Sequence, residues 1–194
     1  MCDETVSHQE ADAPMRLVRP IAFIGFMGSG KSSVAAELAE RLSAPLIDID
    51  QEIEASSGLS IAEIFEHHGE PYFRKLESEL LEDALANDEP AIIACGGGIV
   101  LDDHNAELLE EGALVIYLQV TAEEVVRRLE GDTRRPLLAG FEEPGALSAF
   151  IGLRERFYDD LADICIETTG RTVTEVVEHI TRCIKESEYG AFHA

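Results

Sequence analysis

Residues 25 to 32 read Gly25-Phe26-Met27-Gly28-Ser29-Gly30-Lys31-Ser32, which satisfies G-x-x-x-x-G-K-[ST] without departure. Glycines at these places let the backbone wrap until successive N–H groups face inward, as phosphate oxygens require. Lys31 has the reach to neutralise β- and γ-phosphates, and the Ser32 hydroxyl suits Mg²⁺. A simple glycine turn ahead of a helix explains the glycines but not the Lys-Ser pair that follows. The loop is read as a nucleoside triphosphate site, with Gly28, Ser29, Gly30, Lys31 and Ser32 about the phosphates.

Three further groups carry chemistry. Asp48 and Asp50 close an apolar run, "APLIDID". Two residues apart on an extended strand share a face, so both carboxylates would enter one crevice. One near Mg²⁺ and one near an acceptor hydroxyl is the arrangement phosphoryl transfer uses; a helix cap plus a surface charge is the plainer alternative. Arg74 lies three residues before Glu77, which would hold its guanidinium for a bidentate anion contact or simply make a surface ion pair. Gly96-Gly97-Gly98 either admits a ligand close to the backbone or makes a tight turn.

The elements that must position these groups alternate. Strands are expected at 20–25, 44–50, 91–98, 113–120 and 162–168. Helices are expected over 31–42, from Ser60 with a capping box to Glu63, from Pro71, after Thr121, and from Thr172 with Glu175 three on. Such alternation predicts an α/β fold with a parallel sheet covered on both faces. Residues 131–145, "GDTRRPLLAGFEEPG", keep neither period, and two adjacent arginines there suggest a mobile lid. One domain is expected over 17–187, with a disordered leader at 1–16 and a tail at 188–194.

Taken together, "GFMGSGKSS", "DIDQEIE", "SGLSIAEIFEHHGEPYFRKLESE", "CGGGIV", "RRPLL" and "LRERFYDDLADICIET" resemble the shikimate kinase family, in its order and spacing across roughly residues 20–184. The resemblance implies a nucleoside-monophosphate-kinase-like three-layer sandwich with a five-stranded parallel sheet. It implies ATP and Mg²⁺ as cofactors and transfer of phosphate to the 3-hydroxyl of shikimate, giving shikimate 3-phosphate and ADP for aromatic amino acid biosynthesis. By the same resemblance Asp50 holds the hydroxyl and is the candidate base, and Asp48 meets Mg²⁺ through water beside Ser32. Arg74 and Arg154 clamp the shikimate carboxylate, with Glu77 orienting Arg74, and Gly96, Gly97 and Gly98 line the ring pocket. Arg135 swings in with the lid, Arg128 packs against adenine, and Ser33 takes the place of the commoner threonine. Arg156 stands where the family usually has proline, so the second clamp is Arg154 or Arg156, with spacing favouring Arg154. A kinase for another small hydroxy acid such as gluconate, and a nucleotide-binding regulator, are the rival readings.

The chain has 194 residues, 45% of them hydrophobic, enough for one real core, and no apolar run approaches a membrane span. Cys2, Cys95, Cys165 and Cys183 are scattered without C-x-x-C, which fits reduced thiols in a cytoplasmic protein, with Cys95 and Cys165 buried in strands. The leader is read as neither signal peptide nor anchor. A formal charge of −24, with Lys31, Lys75 and Lys185 as the lysines, argues against nucleic acid and anionic lipid as partners. A monomer serving a small-molecule substrate is expected. Self-repulsion of this size is better tolerated when screened, which points to salt adaptation. Stability is expected to rise from low to molar NaCl, read as the midpoint of thermal unfolding; a flat profile would overturn that idea.

Overall fold

The computed structural model describes residues 16–130, 145–186 and 192–193. In chain order the elements are β1 (Arg16–Leu17), β2 (Ile21–Ile24), α1 (Lys31–Leu42), β3 (Leu46–Asp48), α2 (Ile49–Ser57), α3 (Ile61–His68) and α4 (Glu70–Leu85). There follow β4 (Ile92–Ala94), a short 3₁₀ turn (Ile99–Leu101), α5 (Asp103–Gly112), β5 (Leu114–Gln119), α6 (Ala122–Leu129), α7 (Ala146–Leu161), β6 (Ile164–Glu167), α8 (Val173–Glu186) and β7 (Phe192–His193).

Five strands form one sheet in the order β3-β4-β2-β5-β6, and every pair in it is parallel. Side chains alternate across it, as period two demands. Phe23, Ile92, Ile116 and Ile166 face α1 and α8, packing on Leu38 and Ile180. Ile24, Ile93, Val115 and Tyr117 face the other way, onto Ile53, Leu81, Leu109 and Tyr158 of α2, α4, α5 and α7. The crossover from β2 runs towards β3 and that from β5 towards β6, so the carboxyl ends of β2 and β5 flank the crevice where such sheets bind ligands.

Local signals explain most boundaries. Ser60 and Glu63 close a reciprocal capping box on α3, and Gly69 ends that helix where Pro71 enters the first turn of α4. Thr121 accepts from the Glu124 N–H at the start of α6, and Thr172 accepts from the Glu175 N–H while the Glu175 carboxylate accepts from the Thr172 N–H and hydroxyl.

Four differences from the sequence reading have physical causes. The strand expected over 44–50 stops at Asp48, whose side chain accepts from the Gln51 N–H and caps α2, so Asp50 lies in the first helical turn. Helices α5 and α7 lie outside the expected set: Asp102 caps α5 by accepting from the His104 and Asn105 N–H groups, and α7 forms by burying Leu147, Ile151 and Tyr158. Cys165 is exposed: β6 is an edge strand that turns Ile164 and Ile166 inward and Cys165 outward, whereas Cys95 is buried. Arg16 and Phe192–His193, assigned to the leader and the tail, pair as the antiparallel β1 and β7. Among the described residues no helix is long and apolar enough to cross a membrane. The lid expected over 131–145 lies outside the described residues except for Gly145, which stands at the start of α7.

Candidate active site

The phosphate loop follows β2 directly. Gly25 has φ of 139°, and a Cβ there would lie 2.6 Å from the Leu118 carbonyl oxygen of β5, so only glycine fits. Gly30, in the left-handed region, caps α1 without a side-chain hydrogen bond. Lys31 Nζ donates to the carbonyl oxygens of Gly25 at 2.8 Å and Phe26 at 3.0 Å, so its ammonium arches over the loop. Ser29 is buried, while Ser32 and Ser33 are exposed on the first turn of α1.

Arg128 of α6 grips this loop. Its Nη1 donates to the carbonyl oxygens of Gly28 at 2.9 Å and Ser29 at 3.1 Å, its Nη2 to the Thr168 carbonyl at 2.6 Å, and its Nε to Glu124 Oε1 at 2.7 Å. Hydrogen bonds from Arg127 and Arg128 hold the Glu124 carboxyl at about 2 against the opposing effect of desolvation.

A second turn, Gly96–Gly98 after β4, meets the first. An added Cβ on Gly97 would lie 3.5 Å from both Gly25 O and Met27 N, and the Tyr158 hydroxyl donates to the Gly97 carbonyl at 2.5 Å. The two outer glycines are pressed by charged side chains. A Cβ on Gly96 would sit 2.1 Å from Glu77 Oε1 and 3.1 Å from Asp50 Oδ1, and one on Gly98 would sit 2.5 Å from Arg74 Nη2. The turn therefore gathers Asp50, Arg74 and Glu77 around backbone.

Arg74 Nη1 donates to Glu77 Oε2 at 2.7 Å, and its Nε and Nη2 reach Glu70 Oε1 at 3.2 and 3.1 Å. Burial disfavours the Arg74 charge, yet Glu77 and Glu70 outweigh it and raise its pKa. Glu77 is 0% exposed, and desolvation lifts its carboxyl above the ordinary value although Arg74 pulls the other way. Its Oε1 has no hydrogen-bond partner among the described residues. This oxygen is enclosed beside Asp50 and Gly96.

Arg154 of α7 lies over Phe150 at 4.4 Å and over Phe26 of the phosphate loop at 6.0 Å. Arg156 is exposed and stacks on Phe157 instead. Asp48 is buried and accepts from both the N–H and the side-chain amide of Gln51. Its partnership with Asp50 on one strand face is not realised, because i and i+2 at a helix start do not face each other. Arg134 and Arg135 lie outside the described residues.

Four contributors escaped the sequence reading: Glu70, Glu124, Tyr158 and Thr168. Glu70 and Glu124 each stand four residues before a site arginine, and Tyr158 four after Arg154, so helical spacing signals them. Thr168 leaves no signal, since only the fold brings it to the loop.

A parallel α/β sheet with a G-x-x-x-x-G-K-S turn after its central strand, facing a cleft of opposed acids and arginines, defines a P-loop phosphotransferase. The "Shikimate kinase" family model matches residues 27–185, and the chain belongs to that family. Shikimate kinases of Dehalococcoides mccartyi and Geobacter metallireducens are 41% and 43% identical, covering 90% and 84% of this chain and 98% and 90% of their own. The shikimate kinase of Acinetobacter baumannii, solved in complex with shikimate, superposes with a TM-score of 0.81 at 30% identity, covering 89% of this chain and 96% of its own. A gluconokinase of Sinorhizobium meliloti, 18% identical with a TM-score of 0.52, shares the fold.

Gly96→Ala would drive a methyl into Glu77 Oε1. It is expected to displace Glu77 and lower stability by about 1–3 kcal/mol in urea titration, and an unchanged midpoint would mean the turn yields freely.

Proposed function

We propose that this chain transfers the γ-phosphoryl group of ATP to the 3-hydroxyl of shikimate, giving shikimate 3-phosphate and ADP. One observation carries this function: Asp50 and the Arg74–Glu77 pair converge on the Gly96–Gly98 turn, which itself packs against the phosphate loop. Donor phosphate and acceptor hydroxyl would thus meet across two touching turns of backbone.

Shikimate is anionic and polyhydroxylated. Arg74, oriented by Glu77 and Glu70, offers a guanidinium edge to its carboxylate, and Arg154, beside the loop, supplies the second contact. Arg154 serves better than Arg156 because it lies against Phe26. Gly96, Gly97 and Gly98 let Glu77, the phosphate loop and Arg74 close on bare backbone, and the ring would lie against the wall they form. Asp50 accepts the hydroxyl proton as its oxygen attacks phosphorus in line with the departing ADP. Lys31, and Arg135 from the lid, offset charge on the transferring group, while Gly28 to Ser33 surround the phosphates. Arg128 spends its in-plane donors on the loop, Glu124 and Thr168, leaving the flat guanidinium face for adenine.

Ser32, exposed at the head of α1, and Asp48, reaching through water, are hard oxygen donors of the kind Mg²⁺ prefers, and these two would hold the ion between them. When bound it neutralises phosphate charge.

Asp50→Asn is expected to lower kcat by about 10²–10⁴-fold while calorimetric ATP affinity survives; near-normal turnover would remove Asp50 as base. Arg74→Ala should raise the KM for shikimate at least about tenfold, and an unchanged KM would take Arg74 out of the clamp. A coupled ADP-release assay with shikimate, quinate and gluconate side by side tests the substrate itself: gluconate turned over faster than shikimate would overturn the proposal.

A further inference from the structure

Thr168 stands just past β6, far from the phosphate loop in sequence, yet only 2% of it is exposed and its hydroxyl touches that loop. Its Oγ1 lies 3.1 Å from the Ser29 carbonyl oxygen and 2.9 Å from that of Gln119, so its one proton is shared between two acceptors. The same oxygen accepts from Arg128 Nη1 at 3.2 Å, and the Thr168 carbonyl accepts from Arg128 Nη2 at 2.6 Å. Arg128 Nη1 also reaches the carbonyls of Gly28 and Ser29. Two side chains from different elements therefore hold one short stretch of loop backbone by its oxygens.

That grip has a consequence on the opposite side of each peptide. In a planar trans peptide the C=O and the following N–H point in opposite directions. Fixing the Ser29 carbonyl towards Thr168 and Arg128 turns the Gly30 N–H away from them. Fixing the Gly28 carbonyl likewise sets the Ser29 N–H, which donates to the Phe26 carbonyl at 3.1 Å and tightens the turn. Glycines at 28 and 30 have positive φ and little intrinsic preference, so without such anchors these peptide planes are free to rotate.

We propose that Thr168 is a positioning residue: through Arg128 and the Ser29 carbonyl it presets the phosphate loop so that the Gly30 N–H faces the phosphate side before nucleotide arrives. This inference rests on the loop binding the phosphates of ATP. It assigns Arg128 a task in phosphate recognition, exerted through backbone, besides any contact with the base. It also ties the β6–α8 corner to the loop, so that the edge of the sheet bears on nucleotide affinity.

The test compares wild type, Thr168→Val and Thr168→Ser by calorimetry with MgATP, inorganic tripolyphosphate and shikimate. Valine keeps the shape without the hydroxyl, and serine restores the hydroxyl without the methyl. Expected is a loss of about tenfold in affinity for both ATP and tripolyphosphate in the valine variant, recovery in the serine variant, and unchanged shikimate affinity. A general loss of fold would instead weaken all three ligands in both variants, and would overturn the assignment. So would a valine variant that weakens ATP alone, because the network would then serve the base, or wild-type affinity in both variants. A wild type that binds ATP but shows no binding of tripolyphosphate would also overturn it, since a preset loop must hold a phosphate chain by itself. Wild type binding neither compound would bring down the kinase reading along with this one.

Discussion

Glu77 gives up all exposure to pair with Arg74 at 2.7 Å, in a chain that already carries 39 acidic residues against 15 Lys and Arg. Removing a carboxylate from water costs several kcal/mol unless a well-placed cation compensates, so the position of Arg74 is dictated from behind. Its guanidinium is then spread against Gly98, and the second Glu77 oxygen is directed at Gly96. A side chain at either place would have to push Glu77 or Arg74 aside. This side of the cleft is consequently made of backbone and charge, and on the proposed reading the acceptor would sit against it.

The same logic explains how so acidic a protein attracts anions. Coulomb interactions fall off with distance and screening, so global charge matters less at the cleft than the cations within a few ångström. Lys31 arches over the loop, Arg128 grips it, Arg154 leans on Phe26, and Arg74 is braced by two carboxylates. Each cation is held by carbonyls, rings or acids rather than left to wander in solvent, which lowers the entropy lost when an anion binds.

Much of the architecture was legible beforehand. The five apolar runs became the five strands, and the caps at Ser60, Thr121 and Thr172 opened helices where expected, because capping is a local affair of three or four residues. Asp50 shows the limit of such reading. "LIDID" alternates like a strand to its end, but the Asp48 side chain prefers the Gln51 N–H, and the helix begins one residue before Asp50. Cys165 shows another: an apolar strand reads as buried, and only sheet order reveals that it lies at an edge.

The identity of the phosphate loop, the acids at 48 and 50, the Arg74–Glu77 spacing and the triple glycine are all contained in short windows of sequence, since each rests on residues within a helical turn or one bend. What only the folded chain decided is which of them meet. Tyr158 on Gly97, Thr168 on Ser29, and Arg154 rather than Arg156 at Phe26 join residues separated by many tens of positions. Such contacts are set by strand order and helix packing, and no local periodicity records them, because the free energy that brings them together comes from burying the core elsewhere.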